Sequence, residues 1–322
     1  MFKNANSTPI FQLKYSSNSN QFYIKRDDLL PFSFGGNKVR IAEEYFNDMC
    51  QKDCDCIISY GSSKSNLNRV IANMSKSMGI PCYVVSPNDN ESETQETFNS
   101  MLVKNIGANI VLCNKNEVAD TIESLINQCN REGLRPYYIN GNKYGNGNKE
   151  VPVRAYIKAY EEILEYERNA GLEFDYIFHA SGTGMTQAGL LCGSILNHDE
   201  KEIIGISIAR SSETGAIPIK DSIDSYFKSL NINKTDAPIS FTDKYVCGGY
   251  GKYNNQIIST VQRVYNTEGI ALDTTYTGKA FWGMTEYVKE KQISNSKILF
   301  IHTGGTPLFF DDLNSRKLKE NA

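Results

Sequence analysis

The sequence predicts an α/β chain of two domains built on open, mostly parallel sheets. Short apolar runs of strand length alternate with longer helical patterns along most of the chain, the arrangement of parallel sheets with helices on both faces. At 322 residues the chain is long for one compact core and comfortable for two domains of ordinary size. Hydrophobic residues make up 40% and charged residues 22%, which excludes a wholly disordered chain and a coiled coil.

The elements follow in order. Phe22 to Lys25 reads as a strand and Asn37 to Cys50 as a helix. Cys56 to Tyr60 is a short buried-type strand before a helix over Ser65 to Met78. Cys82 to Ser86 is the next strand, with a helix expected within Glu91 to Asn105. Asn109 to Cys113 and Glu117 to Arg131 repeat the strand–helix pair, and Tyr137 to Asn140 is a further strand. The Gly- and Asn-rich run from Asn140 to Glu150 is the best loop candidate. Val153 to Asn169 reads as a helix, Asp175 to Ala180 as a strand and Met185 to Leu196 as an apolar helix. Ile203 to Ile208 and Lys297 to His302 are the clearest later strands. In such folds ligands bind beyond the carboxyl ends of the strands, so the chemistry belongs in the strand-to-helix turns.

Charge and composition narrow the partners. Lys and Arg number 34 against 37 acidic residues, a net charge of -3, which does not favour a broad nucleic-acid surface. The three histidines, His179, His198 and His302, point away from His-rich metal chemistry, and no metal is expected. Cys50, Cys54 and Cys56 cluster without a paired C-x-x-C spacing, and Cys56 opens an apolar strand. No secretory signal and no bilayer-spanning stretch is visible, and the scattered cysteines do not form a secreted framework; a cytoplasmic protein without a membrane partner is expected.

Several turns carry unusual residues. Gly35-Gly36 permits a tight bend and puts Lys38 in the first turn of a helix, where the helix dipole and poor solvation lower an amine's pKa. A neutral amine there can form an imine with a carbonyl cofactor; a solvated lysine after a glycine turn is the plain alternative. Lys64-Ser65-Asn66 follows a strand and opens a helix, either as a simple cap or as a cradle for a carboxylate. Ser181-Gly182-Thr183-Gly184-Met185-Thr186 has the layout of a phosphate-binding helix N-terminus, although it is neither a Walker A loop nor a dinucleotide fingerprint. Tyr250 stands between glycines, which favours an exposed, backbone-strained position. Tyr276 immediately precedes a helix. The strand ending at His302 runs into the polar turn Thr303-Gly304-Gly305, with His302 itself read as a satisfied buried histidine.

Taken in order, the runs IKRDDLLPFSFGGNKVR, GTGMTQAGL, GGYGKYN, EGIALDTTYTGKA and IHTGG resemble the pyridoxal-phosphate enzymes of the tryptophan-synthase-β fold group, fold type II. Within it they resemble the family of D-cysteine desulfhydrase and 1-aminocyclopropane-1-carboxylate deaminase. The resemblance implies a smaller domain, residues 46–154, inserted into a larger cofactor-binding domain of residues 1–45 and 155–322, and a homodimer. It implies pyridoxal 5'-phosphate as cofactor, with Lys38 as the Schiff-base lysine and then the base at the substrate Cα. Asn66 would contact the cofactor's phenolic oxygen, Thr183, Gly184, Met185 and Thr186 its phosphate, and Thr303 its pyridine nitrogen. Ser65 would bind the carboxylate of a small amino-acid substrate, and Tyr250 and Tyr276 would line the substrate side. The expected reaction is loss of a β-substituent to give a keto acid and ammonia. Ring-opening deamination, racemisation, β-replacement, and cofactor binding without turnover are the alternatives.

The chain departs from the family pattern in places. Lys64 stands where a glutamine is usual, either to bind a second acidic group of the substrate, to grip its carboxylate harder, or to point into solvent. Thr277 agrees with the desulfhydrases, whereas Thr186-Gln187-Ala188-Gly189 is closer to the deaminases. Lys252-Tyr253-Asn254 replaces a more usual Val-Pro-Asn. The choice of substrate therefore rests mainly on position 277.

Overall fold

The computed structural model describes residues 7–87, 97–232 and 238–315. The chain opens with a hairpin, β1 (Ile10–Ser17) and β2 (Asn20–Lys25), followed by helix α1 (Asn37–Gln51). Then come β3 (Cys56–Tyr60), α2 (Asn66–Met78), β4 (Cys82–Pro87), α3 (Phe98–Asn105), β5 (Asn109–Cys113), α4 (Val118–Arg131) and β6 (Pro136–Tyr138). The second half contains α5 (Val153–Ala170), β7 (Tyr176–Ser181), α6 (Met185–Leu196), β8 (Glu202–Ser207), α7 (Ser212–Ser229) and β9 (Ser240–Thr242). It ends with α8 (Asn255–Glu268), α9 (Thr277–Glu290), β10 (Lys297–Ile301) and α10 (Thr306–Asn314).

The strands form two sheets. One has six strands in the order β1-β2-β10-β7-β8-β9, parallel except for the β1–β2 hairpin. The other has four parallel strands in the order β5-β4-β3-β6. Both central strand sets are nearly continuous apolar runs. Ile57, Ile58, Phe178, Ile298, Leu299 and Phe300 are all fully buried, as sheets covered on both faces require.

One expected helix is located more closely, and one expected strand is shorter. The helix expected within Glu91 to Asn105 is found at Phe98–Asn105, begun by a Thr97–Ser100 capping box; residues 91–96 lie outside the described residues. Strand β6 ends at Tyr138 and not Asn140, because the Gly141 N–H already turns back to Tyr138 O at 2.9 Å.

A buried ionic cluster fastens the end of β2 to α1. Asp27 accepts from Arg40 (3.0 and 3.1 Å), Thr8 (2.7 Å) and Tyr156 (2.5 Å). Arg40 also bonds Glu162 at 2.6 Å. Burial alone would raise the Asp27 carboxyl, but the charges of Arg40 and Lys25 and these hydrogen bonds outweigh it and hold it at about 2.

Candidate active site

A cavity of 530 Å³ lies beyond the carboxyl ends of β3, β7, β8 and β10. Its walls include Lys38, Ser65, Asn66, Thr183 to Thr186, Tyr250, Tyr276 and Thr303. Of the residues singled out for cofactor, substrate or specificity, Lys64 and Thr277 are not part of the wall. The Lys64 Nζ lies 3.9 Å from where a Cβ on Gly251 would sit.

Lys38 is the second residue of α1. Two glycine turns put it there: a Cβ on Gly36 would lie 3.0 Å from Thr303 O, and one on Gly304 would lie 2.5 Å from Gly36 Cα. The two backbones therefore touch, and both glycines adopt positive φ, 102° and 98°. The Asn37 N–H donates to Thr303 O at 3.0 Å, and the Asn37 amide donates to Thr186 Oγ1 at 3.0 Å. One residue thus ties the lysine turn to the β10 turn and to the start of α6. Burial lowers the Lys38 amine from 10.5 to about 8, and no described carboxylate pairs with it.

The opposite wall is set by α2. Ser65 is its N-cap and accepts from Asn68 N–H at 3.2 Å, which leaves the hydroxyl proton for an anion. The Asn66 carbonyl oxygen is taken by Asn99 (3.0 Å) and Arg69 (3.3 Å), so its amide is the free end. The cap and the anion-cradle readings of this turn are therefore compatible in one geometry.

At the start of α6, Gly184 has φ 87°, and a Cβ there would lie 2.5 Å from Ile219. Only glycine leaves this turn tight enough to present the first-turn N–H groups of α6 to the cavity. Thr303 keeps its hydroxyl unbonded among the described residues. Behind it, His302 Nε2–H bonds Ala271 O at 2.9 Å, while Nδ1 accepts from Gly304 N–H at 3.2 Å. Burial lowers the His302 pKa, so the ring is neutral and structural.

Tyr250 and Tyr276 meet hydroxyl to hydroxyl at 2.6 Å, their rings edge-on with centroids 5.8 Å apart. Burial, and then Tyr250, push the Tyr276 phenol well above its usual value, so it stays protonated. The backbone strain expected at Tyr250 is not met, since the positive φ angles fall on Gly249 (126°) and Gly251 (70°), which glycine adopts readily. Thr277 is not a substrate contact. It is fully buried and donates to Asp273 at 2.8 Å, so it stands behind the cavity wall. Asp273 also accepts from the N–H groups of Thr275 and Tyr276, at 2.9 and 2.7 Å, which orients Tyr276.

Sequence reasoning missed Asn37, Arg69, Asn99, Asp273, Arg210 and Lys279. The first four act through buried side chains that bond other site residues, a role no local pattern announces. Arg210 lines the cavity just past β8, and its place after an apolar strand was the available signal. Among the described residues no acidic side chain lines the cavity.

The geometry suits pyridoxal phosphate: an unpaired amine of lowered pKa, an anion-binding helix start, a hydroxyl at a strand end and an aligned amide in one cavity. The family described as pyridoxal-phosphate dependent enzyme matches residues 2–304. The chain belongs to that family. A Pyrococcus abyssi protein provisionally named 1-aminocyclopropane-1-carboxylate deaminase is 32% identical over 292 residues, covering 89% of this chain and 85% of its own. The D-cysteine desulfhydrase of Serratia proteamaculans is 29% identical over 311 residues, covering 94% of this chain and 93% of its own. The crystal structure of a 1-aminocyclopropane-1-carboxylate deaminase homologue superposes with a TM-score of 0.81 at 31% identity, over 96% of this chain and 92% of that one. The two-sheet fold is thus that of fold type II pyridoxal-phosphate enzymes, and the chain is a pyridoxal-phosphate-dependent enzyme. No helix among the described residues is long and apolar enough to cross a membrane.

Proposed function

We propose that the protein is a lyase of small amino acids that acts on D-cysteine, releasing hydrogen sulfide, pyruvate and ammonia with consumption of one water. The observation that carries this reading is the Lys38 amine sharing one cavity with the hydrogen-bonded Tyr250–Tyr276 pair. Elimination needs a base at Cα and a proton donor for the departing group, and these are the two.

In this reading Lys38, Asn66, Thr183 to Thr186 and Thr303 hold the cofactor. When bound, it supplies an electron sink for charge developing at the substrate Cα. Ser65 donates its hydroxyl proton to the substrate carboxylate. Lys38, a free amine in an appreciable fraction of molecules near pH 8, takes the Cα proton. The tyrosine pair delivers a proton to the leaving sulfur and, with one phenol held protonated, remains a donor across the neutral range. The similarity to the Serratia D-cysteine desulfhydrase supports this substrate.

Ring opening of 1-aminocyclopropane-1-carboxylate, to 2-oxobutanoate and ammonia, is the second reading. It is favoured by the Pyrococcus relative and by the superposition on the deaminase homologue. A panel of D- and L-amino acids and the cyclopropane acid, assayed for sulfide, keto acid and ammonia, separates the two. D-Cysteine is expected to give all three products in equal amounts. Product from the cyclopropane acid alone would replace the first reading with the second. No keto acid from any compound would leave a racemase, a β-replacement enzyme or a non-catalytic binder.

Lys64, beside Gly251 of the Tyr250 loop, would meet a second acidic group only in a diacid substrate, which D-cysteine is not. Lys64→Gln is expected to lower the preference for diacid over monoacid amino acids by about ten-fold; unchanged selectivity in paired kinetics would remove that role. The reading also takes residues 46–154 as an inserted domain, supported by the four-stranded sheet drawing all its strands from within that span. It takes the protein as a cytoplasmic homodimer, in which its eight unpaired cysteines stay reduced.

A further inference from the structure

Lys279 lies on α9, one turn after Tyr276, and is fully buried. Its ammonium has no carboxylate partner among the described residues. It donates instead to three backbone carbonyls: Val246 and Gly249 at 2.8 Å each, and Ile208 at 3.2 Å. Those carbonyls belong to different parts of the site. Ile208 is in the cavity wall just past β8, and Val246 and Gly249 lie in the loop that ends in Tyr250.

The loop is bent to deliver them. Cys247, Gly248 and Gly249 run through successive positive φ angles of 53°, 83° and 126°. Nothing lies within 4 Å of a Cβ on Gly248 or Gly249, so these glycines answer to backbone direction and not to crowding. The two carbonyls converge on one point, and that point is the Lys279 nitrogen. Three charge-assisted hydrogen bonds inside a protein are strong, and a buried ammonium without them would be costly.

We propose that Lys279 is a positioning residue, its ammonium joining the Tyr250 loop, the β8 end and the Tyr276 helix so that the two tyrosine hydroxyls meet. The proposal rests on the assignment of Tyr250 and Tyr276 to the substrate side. It does not place Lys279 in contact with substrate or cofactor. What the three carbonyls need is a small cation carrying N–H donors, and the chain supplies it on a four-carbon tether.

That requirement makes the proposal testable by a guest. Lys279→Ala leaves room for ethylammonium; tetramethylammonium has the same charge but no N–H to donate. The full-length variant is compared with the parent protein in the two chloride salts at equal ionic strength. Two readouts are followed: thermal melting of the cofactor-free protein, which needs no activity, and turnover of the substrate found in the amino-acid panel. The variant is expected to retain cofactor absorbance, to lose kcat by about ten-fold or more with a smaller change in KM, and to recover saturably in ethylammonium alone. Its melting temperature rises in ethylammonium relative to tetramethylammonium, while the parent protein melts alike in both. Equal behaviour of the variant in the two salts, or a kcat within about two-fold of the parent, overturns the proposal. If Lys279→Ala does not fold in either salt, Lys279→Met, which keeps the length without the charge, decides: parental kcat overturns the proposal, and a loss of about ten-fold with cofactor absorbance intact upholds it. Should the panel yield no substrate, the melting comparison still tests the cation site, so its failure is distinct from failure of the lyase reading.

Discussion

Lys38 owes its reactivity to what surrounds it. A lysine amine is ordinarily protonated at neutral pH, and burial at the start of α1 brings this one from 10.5 to about 8. The protonated amine cannot attack a carbonyl, so capture of pyridoxal phosphate by the cofactor-free protein is expected to speed up with rising pH and level off above a midpoint of about 8. Stopped-flow absorbance measures it, and a midpoint near 10.5 would show that the amine is not desolvated before the cofactor arrives. At this scale the sequence was informative for most of the residues proposed to hold cofactor or substrate. Lys38, Ser65, Asn66, Thr303 and both tyrosines stand in turns whose glycines and hydroxyls mark them. It was silent where a residue acts at one remove: Asn99 orients Asn66 from α3, and Asp273 orients Tyr276, through contacts that exist only once the chain has folded.

The elements that carry the site are held by buried polar contacts as much as by apolar packing. The Asp27 cluster, which ties β2 to α1 beside Lys38, is the clearest case. The Asp27 carboxyl titrates at about 2 in the folded protein against 3.8 ordinarily. Its contribution is therefore complete above about pH 4 and is lost as pH falls through about 2. Asp27→Asn is expected to cost roughly 2 kcal/mol or more at pH 7 and to flatten the stability profile between about pH 4 and 2. Urea unfolding across that range tests it; a variant with the parent's slope would contradict the ionic account. Apolar strands such as Cys56–Tyr60 were readable because they are covered on both faces. β1 was not, since as an edge strand it buries only Ile10 and Leu13 in a weakly alternating run. The helix α7 carries Pro218 within its span, which argues locally against a helix that the packed structure nevertheless keeps.

The whole molecule brings two sheets together so that strand ends from both face one cavity. Strand β3 of the smaller sheet delivers the Ser65–Asn66 turn, while β7 and β10 of the larger deliver the α6 start and Thr303. Lys38 arrives between them on α1, through the contact of Gly36 with Gly304. The chain order of these turns carried the family resemblance, but their convergence across more than 250 residues is a tertiary fact that no single motif states. Two lysines of lowered pKa, the half-buried Lys38 and the fully buried Lys279, are candidates for the cofactor, each brought to about 8 by desolvation. Geometry separates them, since Lys38 opens into the cavity and Lys279 is spent on three carbonyls. Borohydride reduction of the cofactor-loaded protein, followed by peptide mass mapping, decides between them directly. The account predicts one pyridoxyl group per chain, on the peptide containing Lys38; a label on Lys279, or no label on any lysine, would contradict it.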